Sequence, residues 1–347
     1  MNTRLSPDTS RRISAARCIL MVMIIYCHAY NLAVYSVDTT PASYITIYLE
    51  RIFYGINKYC CDALFFVISG YLLFLGFEKS TIKRKLTSRI RTLVIPFIVW
   101  NALYWLFWCL VGKLLNGVDG ISNAERYSFS FDSFLNAFIG TYPADEPLWF
   151  LRHLIIMVCI SPVLWLIIRN RIFGAIFLVG VAVACNILGL SQDSIFNTLY
   201  YFGIGSYLVF HGRTVVESSS LIARGIAVMI LIANVVWTVI DPMNDTYRYS
   251  MPEITLVIIA LWILTGGLEW GNWVERLAGY SFFVFASHSI VLESLEKIWF
   301  IMLGDRPIFA LMDYTLMPIL TLTIVLLAGM FIKRFIPFLW TILNGGR

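Results

Sequence analysis

The stretch Arg17-Cys18-Ile19-Leu20-Met21-Val22-Met23-Ile24-Ile25-Tyr26-Cys27-His28 lies inside an apolar run that extends over 15–36. A helix needs about 20 apolar residues to cross a bilayer, and this run supplies them. It also holds a guanidinium near one end and an imidazole farther in. Eleven residues at about 100° each come within about 20° of three full turns, so Arg17 and His28 share a face. At about 1.5 Å per residue they stand about 16 Å apart along the axis. Arg4, Arg11 and Arg12 precede the run, as in a signal peptide. The run is too long for one, however, and no small-x-small cleavage site closes it. It reads as a retained first transmembrane helix.

Nine more runs follow, at 61–78, 92–112, 148–168, 172–190, 195–211, 221–240, 251–268, 277–298 and 314–335. Hydrophobic residues make up 59% of the 347 positions and charged residues 14%. Soluble domains carry roughly 25% charged residues, because they need a polar skin that lipid makes unnecessary. The expected fold is all-α: a polytopic membrane protein of about ten helices, one transmembrane domain over 1–347 with no separate soluble domain. The net charge of +5 does not point to nucleic acid, because the basic residues sit between apolar runs. The seven cysteines form no C-x-x-C pair and no zinc spacing, so no metal is expected.

Charge sets the expected topology. With the N-terminus inside and the runs alternating, the inner segments hold 18 of the 26 basic residues and 5 of the 21 acidic ones. That satisfies the positive-inside rule at every inner loop and puts both termini in the cytoplasm. The densest inner segment is Lys83-Arg84-Lys85-Leu86-Thr87-Ser88-Arg89-Ile90-Arg91, read as a basic loop. It serves as a topology signal, and it also suits anionic lipid head groups or a phosphorylated cofactor. The longest loop, 113–147, falls outside and is acidic (Asp119, Glu125, Asp132, Asp145, Glu146). No internal repeat is visible.

Ionisable groups inside a span are expensive and mark functional sites. Arg17 reads as a snorkelling anchor or a ligand contact, and His28 as a helix–helix hydrogen bond or a base. Asp62 opens the second run. It either complements the helix dipole or orients His28. Ser69-Gly70 allows two helices to approach closely. In Trp149-Phe150-Leu151-Arg152-His153, Trp149 reads as an interfacial residue, and Arg152 and His153 as contacts to an acceptor. His288 and Glu293 fall within the ninth run. His211 reads as solvated.

Five segments together resemble the acyltransferase-3 family of bacterial membrane O-acyltransferases. They are Arg17-x10-His28, Asp62-Ala63-Leu64-Phe65-Phe66-Val67-Ile68-Ser69-Gly70-Tyr71, Arg91-Thr92-Leu93-Val94-Ile95-Pro96, Leu148-Trp149-Phe150-Leu151-Arg152 and Ser281-Phe282-Phe283-Val284-Phe285-Ala286-Ser287-His288. They occur in the family's order. The resemblance implies transfer of an acyl group, usually acetyl, from cytoplasmic acyl-CoA to a hydroxyl of an envelope glycan or lipid-linked sugar. It implies a multi-pass protein of the bacterial inner membrane. His28 is then the base, assisted by Asp62. Arg17, Arg89 and Arg91, with Arg84 beside them, position acetyl-CoA as acyl donor. Trp149, Arg152, His153, His288 and Glu293 serve the acceptor. His153 stands where the family commonly has an acid. No SGNH-type domain follows the last run, so the membrane domain is expected to complete the transfer. The competing reading is a proton-coupled transporter or flippase, with His28, Asp62, His288 and Glu293 as a proton relay.

Overall fold

The computed structural model describes residues 5–31, 35, 40–57, 60–114, 126–191, 193–217, 220–240 and 250–346. Arg4, Asp119, Glu125 and Arg347 lie outside the described residues. Among the described residues every regular element is helical. In order these are α1 (Pro7–His28), α2 (Pro41–Asn57), α3 (Cys60–Phe74), α4 (Ile82–Leu114), α5 (Phe131–Ile139), a single 3-10 turn (Glu146–Leu148), α6 (Trp149–Ile168), α7 (Arg171–Ile187), α8 (Ile195–His211), α9 (Arg213–Glu217), α10 (Leu221–Ile240), α11 (Met251–Leu264), α12 (Asn272–Ala278), α13 (Ser281–Leu303), α14 (Pro307–Phe335) and α15 (Pro337–Leu343).

Each apolar run falls on a helix, but several boundaries move. α1 starts at Pro7, where the Ser6 hydroxyl accepts from the Thr9 amide as an N-cap does, and it ends at His28 rather than 36. α4 starts ten residues before its apolar run. The segment read as a basic loop is therefore the first turns of a helix, for which lysine and arginine are good formers. α14 begins at Pro307, so Asp313 lies inside it. α2 matches no run at all. Glu50 and Arg51 interrupt its apolar count, yet both are buried while Tyr44, Ile45 and Tyr48 are exposed.

Among the described residues four segments are long and apolar enough to cross a membrane: α4, the stretch Glu146–Ile168, α10 and α14. α1 and α13 have the length, with 22 and 23 residues, but not the apolar character. These are the two helices that carry His28 and His288.

The chain divides into two compact units. The first comprises Met1–Met23, Arg51–Ile90 and His153–Ala278. Its centre is the contact of α3 with α8. The Phe74 and Phe202 rings there meet edge-to-face at 6.2 Å, both fully buried. The close approach expected at Ser69-Gly70 is made by Gly70, which sits against the Phe202 carbonyl, and Gly205 sits against the Val67 carbonyl in return. Cys60 and Cys61, in the first turn of α3, are buried. The second unit comprises Ile24–Glu50, Arg91–Arg152 and Gly279–Arg347. Its core is α13, whose residues 281–289 are all buried. Gly329 of α14 lets the Phe283 and Tyr280 rings pack close.

A Cβ at position 205 would overlap a backbone oxygen that cannot move aside, whereas one at Gly225 meets nothing within 4 Å. Gly205→Ala should therefore cost at least about 2 kcal/mol by overpacking. Gly225→Ala should be neutral or slightly stabilising, as in any helix interior. Thermal unfolding of the two variants in detergent, monitored by tryptophan fluorescence, checks the contrast.

Candidate active site

The fully buried His288 organises the second unit's site. Its Nδ1 lies 2.7 Å from the Phe285 carbonyl, one turn back on α13. A carbonyl can only accept, so Nδ1 carries the proton and donates. Nε2 is therefore left as a bare lone pair, and it has no hydrogen-bond partner among the described residues. The ring beside it is His28, with centroids 5.2 Å apart and planes tilted by 54°. His28 is exposed, so this pair is open on one side and sealed on the other.

His28 stands there because α1 ends at it. Three residues on, the buried Asn31 makes a clamp. Its backbone amide donates to Glu50 Oε1 at 3.1 Å, and its side-chain amide donates to Asp313 Oδ2 at 3.1 Å and to the Ala310 carbonyl at 3.2 Å. The Asn31 amide is thus turned to α2 instead of back along α1. Tyr26 packs edge-on to Tyr314 at 5.8 Å, fixing the last turn of α1 on α14.

Farther along α13, both oxygens of Glu293 accept from the Tyr104 hydroxyl, at 2.8 and 2.7 Å. Ser289 donates to the buried Asp145 at 2.6 Å, and Asn101 accepts from the Asp145 amide at 3.2 Å. Asp145 precedes the apolar segment. Burial holds its carboxyl well above the ordinary carboxylate range. Lys297 lies 4.0 Å from the centre of the Trp108 ring. None of Asn31, Glu50, Tyr104, Asp145, Ser289, Lys297 and Asp313 was singled out from sequence for this site. Asp313 had a usable signal: Pro307 is a helix-start residue, and it would have carried the last helix back past position 313.

The structure gives partners to two of the residues expected at the acceptor in the fourth run. Arg152 donates to the Gly140 and Thr141 carbonyls at 2.8 and 2.6 Å, which ties down the turn after α5. Trp149 is half-buried and meets Phe150 edge-on. Arg91 is exposed.

Of the arginines expected at the cofactor, the first unit holds Arg17, Arg84 and Arg89, and the second holds Arg91. Arg17 of α1 and Arg89 of α4 come within electrostatic range of each other, and both are half-buried. Two like charges held together favour an anion between them. Arg84 is exposed. Lys85 is spent structurally, donating to the Leu73 carbonyl at 2.8 Å and to the Leu75 carbonyl. These are carbonyls that the end of α3 leaves open. Asp62 is half-buried in the first turn of α3. His153 Nδ1 pairs with the Thr198 hydroxyl at 3.0 Å. His211 is tied to the Ile168 carbonyl at 3.0 Å and packs on Tyr207, so it is not simply solvated. Arg12, read only as an inner charge, is buried. It donates to the Val216 and Trp262 carbonyls at 2.9 and 3.2 Å and lies 4.6 Å over the Trp262 ring. Among the described residues no group of three His, Cys, Asp or Glu is placed to hold a metal.

Apolar helices long enough to cross a membrane, together with a buried imidazole beside a second one and buried carboxyls elsewhere in the same unit, define a membrane protein with polar groups in its interior. The chain belongs to the acyltransferase-3 family: the family model described as an acyltransferase domain matches residues 11–333. It is 25% identical to the succinoglycan biosynthesis protein ExoH of Rhizobium meliloti (strain 1021) over 360 residues, covering 98% of this chain and 93% of the relative. No solved structure matches it.

Arg12 combines a two-carbonyl fork with ring stacking, a geometry that lysine cannot reproduce. Arg12→Lys should cost about 1.5–3 kcal/mol through the lost charged hydrogen bond. Arg11→Lys, at an exposed position, should be neutral. Melting temperatures of the two variants in the same detergent decide this.

Proposed function

We propose that the protein is an O-acyltransferase that moves an acyl group, acetyl in the simplest case, from cytoplasmic acyl-CoA to a hydroxyl of an envelope polysaccharide, with His28 as general base. The observation that carries this reading is the His28–His288 pair. His288 offers a bare Nε2 whose tautomer is set by Phe285. A His28 ring that donates one N–H to that lone pair keeps its other nitrogen free to accept a proton. The acceptor hydroxyl loses its proton to that nitrogen as its oxygen forms the bond to the thioester carbonyl carbon. The carbon–sulfur bond then breaks, and the leaving sulfur takes the proton from His28. Acyl-CoA supplies the electrophilic carbonyl and leaves as the free thiol. His28 becomes an imidazolium only transiently. Two features favour that charge: the carbonyl end of α1, in whose last turn His28 lies, and the His288 lone pair.

Arg17 lies on the same uninterrupted helix, about 16 Å along the axis from His28 by helical rise. That is the order of length of a pantetheine arm. Arg17, Arg84, Arg89 and Arg91 are assigned to the nucleotide phosphates, for which guanidinium forks are suited. Asp62 is assigned as a second acid–base group. Glu293 is assigned to the acceptor, with the Tyr104 hydroxyl holding its carboxylate in place. The acceptor is a polysaccharide by analogy with ExoH, whose name places it in succinoglycan biosynthesis. The reaction belongs at the bacterial inner membrane, with ten spans and both termini cytoplasmic. A transporter of the same topology has no use for a CoA-binding cluster, and the family is one of acyl transfer.

Purified protein incubated with labelled acetyl-CoA and unacylated envelope polysaccharide should yield O-acetylated product by mass analysis. His28→Ala should abolish transfer while insertion and melting temperature persist, and substantial residual turnover would overturn the base assignment. His288→Asn retains an amide donor for Phe285 but lacks the Nε2 acceptor. It should lower kcat about 100-fold with both KM values nearly unchanged. Arg17→Ala should chiefly raise the KM for acetyl-CoA, and normal CoA affinity in that variant would contradict its role.

A further inference from the structure

The 126–144 segment forms a pocket of about 280 Å³ that the chemistry above does not use. It is small for a ligand pocket, near the size that takes a single ring. Arg126, Tyr127, Asn136, Thr141 and Tyr142 are among its lining residues. Two phenol rings, an amide, a hydroxyl and a guanidinium make a mixed surface. The aromatic faces suit the C–H face of a pyranose, and the planar amide and guanidinium suit its hydroxyl pairs. No acid, histidine or cysteine lines it, which disfavours a cation. The polar lining disfavours a lipid chain, and a single guanidinium is too little for a nucleic acid.

The pocket is also a constructed feature. The two carbonyls that Arg152 holds belong to Gly140 and Thr141, both in the wall. The Tyr127 hydroxyl donates to the Ala144 carbonyl at 3.1 Å, and Trp105 donates to the Ser133 hydroxyl at 3.1 Å. Tyr127 stands edge-on to Tyr104 at 6.0 Å, and Tyr104 holds Glu293. Glu293 lies five residues beyond His288, about 7.5 Å along α13 by helical rise. One aromatic layer therefore separates the pocket from the helix that carries His288.

We propose that this pocket seats one sugar residue of the acceptor glycan, neutral or anionic, and so sets which neighbouring residue is presented to His28. The proposal rests on the acyltransferase reading above. Acceptor choice then resides in the 126–144 segment, while the histidine pair performs the transfer.

The test uses the full chain in nanodiscs and oligosaccharides released from the envelope polysaccharide of a strain deleted for this gene. Binding is measured by saturation-transfer NMR and titration without acyl donor. The wild type should bind. Asn136→Ala and Tyr142→Ala, both at exposed positions, should each weaken binding about tenfold, the equivalent of roughly 1.4 kcal/mol. Each should raise the KM for the glycan by the same factor and leave acetyl-CoA affinity unmoved. Melting temperatures of the variants confirm that each is folded. Unchanged glycan affinity in the double variant of an enzyme that still transfers acyl groups overturns the pocket alone. Glycan binding that is sensitive to both substitutions, with no acyl transfer under any condition, overturns the enzymatic reading and leaves the pocket standing. No binding by the wild type overturns the pocket as a glycan subsite.

Discussion

Asn31 is held by three hydrogen bonds, to Glu50, Asp313 and the Ala310 carbonyl, and the site depends on that clamp. In a hydrocarbon environment a buried polar group has no water to turn to, so its partners must come from the protein. Asn31 obtains them from α2 and α14 together. Meeting that demand turns the chain out of α1 just after His28. It leaves the imidazole in the helix's last turn, beside His288. A polar residue that looks like a blemish in an apolar run is what ends the helix.

The same constraint explains why α13 carries so much polarity. Ser289, His288 and Glu293 each have a defined partner in Asp145, Phe285 and Tyr104. Several buried polar atoms of this unit lack a hydrogen-bond partner among the described residues, among them Asn31 Oδ1, Asp145 Oδ2 and His288 Nε2. Such atoms are costly to leave unmade, and what sets the His288 lone pair apart is the exposed His28 ring beside it. Arg12 shows the structural version of the same rule. Its charge is satisfied by two carbonyls and a ring face, and its work is to hold helices together.

Much of this was legible from residues alone. The apolar runs all fall on helices, because a span must be long and continuous to cross lipid. Arg17, His28 and His288 could be named because ionisable groups in such runs are rare. α2 was invisible for the converse reason. Its charged residues face inward, so a count of apolar residues in a row passes over it. The basic segment that opens α4 looked like a loop because charge was taken as the end of a helix, whereas lysine and arginine propagate one. That Arg152 holds two backbone carbonyls eleven and twelve residues earlier was not legible, since nothing in the sequence announces that pairing.

By itself, then, the sequence determined that the chain is helical, that it carries its own candidate base, and which family it belongs to. The first two follow from composition, helical period and spacing along a single element, and the family from the resemblance of five segments spread over 17–288. Only the tertiary structure decided that His28 has His288 for a neighbour, that Phe285 sets the tautomer of that neighbour, and that Asn31 stops α1 at the right place. It also decided that the 126–144 loop folds into a pocket. The histidine pair and the Asn31 clamp depend on contacts between residues more than two hundred positions apart. Local pattern does not register such pairs, because the energy that selects them comes from satisfying buried polar groups across helices.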